Sequence, residues 1–283
     1  MPRTPIVIYA RPDRVDAVRK AIEVYRALRG HGITPLLDAS LAPSLGGGYS
    51  YTDLRFEKPG TLIVIGGDGT LLHVARLIGC SDTIVFPIHA GRRGYYYEHG
   101  EATERIAEAI ATGNYRVEEL VRLKVTVVSP SGSRHNTPPA LNEAALIALG
   151  SKTITVSLYV DNTPVYSSVE GDGVIVATPY GSRGYNASVG GPLLLTRRCP
   201  ACQPAAVATI VNPLGRYPPV VVGQRCITII LESTQSPPRL VVDGVYVERL
   251  VKGCRLRVHP GGCRLKVARL QEAETLHTPH CAW

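Results

Sequence analysis

The chain has 283 residues, enough for one large domain or two ordinary ones with a substantial core. Hydrophobic residues make up 45% and charged residues 19%, which excludes a disordered chain, and no apolar run reaches the length of a membrane-spanning helix. The formal net charge of +8 is scattered and rich in arginine, with no basic run or basic helix face; nucleic-acid binding is weakly supported, and nucleotides or polyphosphates fit such a diffuse field.

The first third alternates strand and helix signals. Pro5 to Ala10 is strand-like and is not preceded by a basic segment or an apolar stretch of signal-peptide length, so a cytoplasmic chain is expected. Ile6 to Tyr9 reads as a strand, Val15 to Leu28 as an amphipathic helix ending at Gly30, and Ile33 to Leu37 as a second strand. Residues 40–60, with Gly46-Gly47-Gly48, read as one long loop. An apolar run from Leu62 then ends in Gly66-Gly67-Asp68-Gly69-Thr70 and passes into a helical pattern. A strand from Thr83 to Ile88, a glycine loop at Gly91 to Gly94 and a helix from Glu101 to Ala111 complete the alternation. The pattern predicts an open, mostly parallel sheet with helices on both faces and ligands outside the carboxyl ends of its strands.

Beyond about residue 115 helical periodicity nearly vanishes. Short β-branched runs follow, at Arg122–Val128, Thr153–Val160, Val174–Ala177, Ala206–Val211, Cys226–Leu231, Arg239–Val247, Arg255–Val258 and Cys263–Val267. Turn signals such as Asp161-Asn162, Asp243-Gly244 and Pro260-Gly261-Gly262 separate them. A β-rich second domain is expected. The predicted division is 1–115 for the α/β domain, 116–268 for the β-rich domain, and 269–283 for a tail packing back on the first.

Of the seven cysteines, Cys199-Pro-Ala-Cys202 forms the one C-x-x-C pair. A tetrahedral zinc site needs two more ligands, which only His277, His280 or Cys281 could bring, so structural thiols or a disulfide are the better reading. One methionine together with abundant arginine, proline and tyrosine hints at a thermophilic source, where internal disulfides are credible.

Three segments carry chemistry. A strand turning through glycines into a helix offers backbone N–H groups and a positive dipole end to an anion, and glycine lets a polyphosphate approach the main chain. Asp68 is the odd residue in that turn: beside phosphates a carboxylate repels, unless it handles a proton or steers an acceptor hydroxyl. The plain alternative is a tight turn that contains Asp. The second segment runs from Gly171-Asp172-Gly173 through Thr178, Ser182, Tyr185 and Ser188 to Gly190-Gly191-Pro192, dense in glycine and hydroxyls suited to a sugar or base. The third is Asn142-Glu143, which reads equally as a helix N-cap or as an amide and carboxylate for ribose hydroxyls.

Together, in this order, these segments resemble the NAD kinase family over nearly the whole chain, in a divergent form of archaeal or thermophilic type. Val-Asp243-Gly244 in a late hairpin belongs to the same likeness. GGDGT alone is shared with lipid kinases of the diacylglycerol and sphingosine type, and a close variant with phosphofructokinases; the later segments separate the families. The resemblance implies a two-domain fold with phosphorylation of the adenosine-ribose 2′-hydroxyl of NAD by ATP or another polyphosphate donor. Gly66, Gly67, Gly69 and Thr70 would hold the donor phosphates, and Asp68 would sit near the 2′-hydroxyl as general base or orienting group. Asn142, Glu143, Asp172, Thr178, Ser182, Arg183, Tyr185 and Ser188 would bind NAD, with Glu143 on a ribose and Asp172 at the nicotinamide end, in this family often reaching in from a neighbouring subunit. It further implies a homodimer or homotetramer, and a divalent cation, Mg, carried on the phosphates without protein ligands of its own. No nucleic-acid or membrane partner is implied.

The chain departs from the family pattern at Tyr180 and Arg183, at Pro87-Ile88-His89-Ala90-Gly91, and at Pro213-Leu214-Gly215, where a Pro-His pair is usual. The first two add bulk and charge at the acceptor segment and bear on NAD against NADH. The rival readings are an NAD(P)-binding regulator that has lost catalysis, and a lipid or sugar kinase of the GGDGT type.

Overall fold

The computed structural model describes residues 3–90, 96–97, 103–150, 152–195, 206–212 and 215–270. The glycine loop 91–94, the Cys199–Cys202 pair, Pro213-Leu214 and the tail beyond 270, with His277, His280 and Cys281, lie outside the described residues. Two compact units emerge. One comprises residues 1–119 and 266–283, the other 120–265.

The first unit is built from β1 (Ile6–Ala10), α1 (Val15–Gly30), β2 (Leu36–Asp38), α2 (Ala42–Leu45), β3 (Tyr51–Thr52), β4 (Thr61–Gly66), α3 (Asp68–Ile78), β5 (Ile84–His89) and α4 (Thr103–Thr112). β6 (Tyr115–Val128) leads out of it, and the last strand, β17 (Arg255–Leu270), leads back in. The sheet order is β17-β5-β4-β1-β2-β3, every pair parallel. β1 and β4 are buried along their whole length, as expected of strands covered on both faces. Ile6, Ile8, Ile63, Ile65, Phe86 and Ile88 pack with the stripes Ala17, Ala21, Val24, Leu28 of α1 and Ile106, Ala107, Ile110 of α4. On the other face the Tyr9 ring meets His73 of α3, centroids 5.9 Å apart.

The predicted alternation is therefore present, with two local differences. The 40–60 segment is not one loop: the short α2, with Pro43 in its first turn, interrupts it, and β3 adds a parallel edge strand beside β2. The buried Asp38 carboxylate organises this stretch by accepting from the Ser40 and Leu54 N–H groups at 3.0 and 3.2 Å. The second strand also starts later than Ile33, at Leu36.

The second unit continues with β7 (Arg134–Asn136), β8 (Glu143–Ile147), β9 (Ile154–Val160), β10 (Thr163–Gly171), β11 (Gly173–Ala177), α5 (Tyr185–Ser188), β12 (Ala206–Val211), β13 (Val220–Val222), β14 (Ile227–Thr234), β15 (Arg239–Val242) and β16 (Val245–Arg249). Antiparallel strands in the order β13-β12-β11-β8-β15-β16 form one layer, and β10-β9-β14-β17 another. Alternate residues of the first layer, such as Ala144, Leu146, Val174 and Val176, meet Val156, Leu158, Ile229 and Leu256 of the second in one apolar core. The outer side of β8, β11 and β12 (Ala145, Ile175, Ala177, Val207) is covered by Val189 and Leu194 from the segment after β11.

Two hairpins have two-residue loops with positive φ at both positions, Asp161-Asn162 (+46° and +69°) and Asp243-Gly244 (+49° and +76°). This is the backbone that matches strand twist, and Asp, Asn and Gly tolerate it best. Arg255–Val258 and Cys263–Val267 are parts of one strand rather than two. Cys80 and Cys263 are each disulfide-bonded, whereas Cys226 and Cys254 are free thiols.

Candidate active site

In the first unit β4 ends at Gly66 and α3 begins at Asp68, so Asp68, Gly69 and Thr70 form the first helical turn. The first N–H groups of a helix have no intrahelical acceptor, and the dipole there favours negative charge. Gly66 must lack a side chain because a Cβ would overlap Thr70 Oγ1. The buried Thr70 side chain thus packs back on the strand end, and its N–H donates to the Gly67 carbonyl at 2.8 Å. Gly67 and Gly69 have open space around them.

Two buried tyrosines reach this turn. The Tyr96 N–H donates to Asp68 Oδ1 at 3.3 Å, and the Tyr97 hydroxyl donates to the Gly67 carbonyl at 2.9 Å. The His89 ring stands edge-on to Tyr97, centroids 5.4 Å apart. Burial, and then the Asp68 charge, push the Tyr97 phenol well above the usual tyrosine range, so it stays a donor.

In the second unit Asn142 and Glu143 are not a helix start: Glu143 opens β8. The pair lies against the Thr178–Ser188 segment. The Thr178 N–H donates to the Asn142 carbonyl at 2.8 Å and its hydroxyl to the Leu141 carbonyl at 2.7 Å. Any Cβ on Gly181 would overlap the Asn142 main chain, while one on Gly184 would sit 3.5 Å from Glu143 Oε2. Glycines at these places let the segment close over Asn142 and Glu143.

Glu143 is 7% exposed, and its Oε2 has no hydrogen-bond partner among the described residues. Burial first, and the neighbouring Asp243 second, push its carboxyl up to about 7. Asp243 at the β15–β16 tip accepts from the N–H groups of Leu141, Asn142 and Glu143 at 2.8, 2.7 and 3.2 Å. Burial raises the Asp243 carboxyl as well, opposed by those three hydrogen bonds and by Arg122. Arg122 of β6 is fully buried, donates to the Pro139 carbonyl at 2.6 Å, and is drawn down to about 10 by desolvation.

The structure thus brings Asn142, Glu143, Thr178 and Ser182 together. Ser182 is buried, its hydroxyl donating to the Pro179 carbonyl at 2.7 Å and accepting from the Leu194 N–H at 3.0 Å, so it shapes the segment. Arg183, Tyr185 and Ser188 are exposed on the same stretch, with the Ser188 hydroxyl donating to the Tyr185 carbonyl at 2.8 Å. Asp172 stands at the far end of β11, about 20 Å along the strand from Thr178, so one chain does not bring it to the others. Sequence reasoning did not assign Tyr96, Tyr97 or Arg122. A charge inside the apolar Leu120–Val128 run was the signal for Arg122, and consecutive tyrosines after a glycine loop were the signal for the other two.

Among the described residues no cluster of three His, Cys, Asp or Glu side chains could hold a metal, and no helix is long and apolar enough to cross a membrane.

A family model for the ATP-NAD kinase C-terminal domain matches residues 141–270. A curated NAD kinase of Geotalea daltonii is 30% identical over 263 residues, covering 89% of this chain and 88% of that one. The bifunctional NADP phosphatase/NAD kinase of Methanocaldococcus jannaschii is 28% identical over 244 residues, 84% of this chain but only 40% of that longer protein. Among solved structures, an NAD kinase from Archaeoglobus fulgidus in complex with ATP superposes with a TM-score of 0.68 at 25% identity, covering 94% of this chain and 93% of that one. Fold and relatives define a phosphotransferase acting on an alcohol group. The chain belongs to the NAD kinase family.

Proposed function

We propose that the protein phosphorylates the adenosine-ribose 2′-hydroxyl of NAD to give NADP, with ATP or another polyphosphate as donor. The observation that carries this reading is Glu143. A buried carboxyl with an unpartnered oxygen, beside Asn142 and under a glycine-lined segment, suits a hydroxyl-bearing ligand such as a ribose. The relative crystallised with ATP supports ATP as donor.

In this reading the turn Gly66, Gly67, Gly69, Thr70 takes the donor phosphates on the first amides of α3. Asp68 accepts the proton as the 2′-oxygen bonds to the terminal phosphorus and the bond to the leaving diphosphate oxygen breaks. Catalysis of this kind rests on positioning and charge neutralisation. Mg is held chiefly by phosphates and water, so the cation would be carried on the donor phosphates at this turn, and the half-buried Asp68 keeps the proton-accepting role. When bound, the cation would neutralise charge on the phosphates. Asn142 and Glu143 orient the acceptor, and Thr178 and Ser182 hold the segment that covers it. Asp172 would act on the acceptor of a neighbouring chain in a homodimer or homotetramer, which its distance from Thr178 along β11 supports. The cytoplasm is the expected compartment.

The test is NADP formation from NAD with ATP and Mg, repeated with polyphosphate as donor and NADH as acceptor. Turnover that falls by about two to four orders of magnitude in Asp68→Asn supports the reading. NAD or NADP binding without turnover would instead favour a regulator, with Tyr180 and Arg183 as the residues that changed the role.

A further inference from the structure

Asp243 lies 100 residues beyond Glu143 in sequence, yet the two are locked together. The Glu143 N–H donates to Asp243 Oδ1, and the Asp243 N–H donates back to the Glu143 carbonyl at 3.0 Å. Oδ1 also accepts from Asn142, and Oδ2 accepts from Leu141. One carboxylate therefore satisfies three consecutive amides just where the chain enters β8. A tight Asp-Gly turn is commonplace; a turn whose aspartate is half-buried and aimed at another strand's entry is not required by the hairpin itself.

We propose that Asp243 is a positioning residue for acceptor binding, fixing the backbone of Asn142 and Glu143 so that the Glu143 carboxyl is presented to the acceptor. This rests on the reading of that pair as the acceptor's ligands. The buried Arg122 charge acts weakly on Asp243, after burial and the three amide hydrogen bonds. The charged group acting directly on Glu143 is Asp243 from the hairpin; Arg122 of β6 acts on Asp243, and Arg183 of the covering segment is exposed.

A second consequence follows from charge. Because Asp243 is anionic and close, Glu143 keeps its proton to a higher pH than burial alone would allow. A protonated carboxyl can donate to an acceptor oxygen, whereas the ionised form only accepts. Acceptor affinity should therefore change with pH across the Glu143 titration, and the charge at Asp243 should set where that change falls.

The experiment measures NAD binding by calorimetry from about pH 5 to about pH 9 in the full chain, so that it is independent of turnover, with melting temperatures recorded in parallel. Wild-type affinity should break near pH 7, and Glu143→Gln should abolish the break. Asp243→Asn should weaken binding about tenfold or more and move the break to lower pH. Gly244→Ala strains the φ +76° turn while keeping every charge, and should weaken binding without moving the break. This variant serves if Asp243→Asn does not fold. Wild-type and Asp243→Asn curves that coincide would overturn the proposal, as would a folded Gly244→Ala protein that binds NAD with unchanged affinity. A wild-type protein that binds no NAD would instead overturn the acceptor-site reading itself.

Discussion

The Tyr97 hydroxyl donates a 2.9 Å hydrogen bond to the Gly67 carbonyl, one residue before Asp68. That carbonyl also accepts from the Thr70 and Leu71 N–H groups, so a phenol braces the start of α3 from outside the helix. Tyr97→Phe keeps the buried ring and removes the bond. Stability should fall by about 1 kcal/mol in urea denaturation. Under the proposed function, steady-state kinetics should show kcat falling several-fold with the NAD KM nearly unchanged, because the lost contact touches only the turn proposed to hold the donor phosphates.

Gly66 and Thr70 form the other half of the same turn. Gly66→Ala forces the added methyl against the Thr70 side chain, and Thr70 is buried with a β-branched side chain that has little rotamer freedom. Overpacking of this kind should destabilise the protein by about 1–3 kcal/mol. The double variant Gly66→Ala with Thr70→Ala should recover part of that loss in the melting temperature.

Gly181 and Gly184 are predicted to behave differently. Alanine at 181 overlaps the Asn142 main chain, which cannot yield without moving Glu143, so NAD binding should be lost together with stability. Alanine at 184 meets the Gly181 carbonyl at 3.3 Å and Glu143 Oε2 at 3.5 Å, and it should leave the melting temperature nearly intact while weakening NAD binding. Equal effects at the two positions in parallel melting and calorimetric measurements would refute this account of the covering segment.

Glu143 also makes stability depend on pH. Its folded-state carboxyl titrates near 7, above the ordinary value of 4.5, so between those values the folded state holds more protons than the unfolded one. Stability contributed by this group is therefore present at low pH and is lost as pH rises through that window. Glu143→Gln should raise the melting temperature at pH 8 more than at pH 5. A uniform change at both values would mean that Glu143 is ionised throughout.

Much of the fold was legible because it rests on local rules. The β1–α1 and β4–α3 units follow from apolar runs, helical spacing and glycine punctuation, and both two-residue hairpins follow from Asp-Asn and Asp-Gly, which accept positive φ. The 40–60 segment was misread because α2 and β3 are too short for periodicity to register; the fixed point there is Asp38, which reaches Leu54 across sixteen residues. Asn142-Glu143 looked equally like a helix cap because Asn before an apolar run is locally ambiguous. Its pairing beside β11 and β15 resolves it as a strand entry.

The sequence by itself determined the order of elements, the strand–glycine–helix turn around Asp68, the β-rich second unit and the polar residue types of the Asn142-Glu143 and Thr178–Ser188 segments. Tertiary structure alone decided which of those residues meet. Asp243 on residues 141–143, Tyr97 on Gly67 and the Arg122 charge felt at Asp243 join positions at least 30 residues apart, far beyond the three- or four-residue reach of helix periodicity and the two-residue reach of a strand. Burial of Glu143 belongs with them, since the perturbed carboxyl exists only once the glycine-lined segment and the hairpin tip have closed around it.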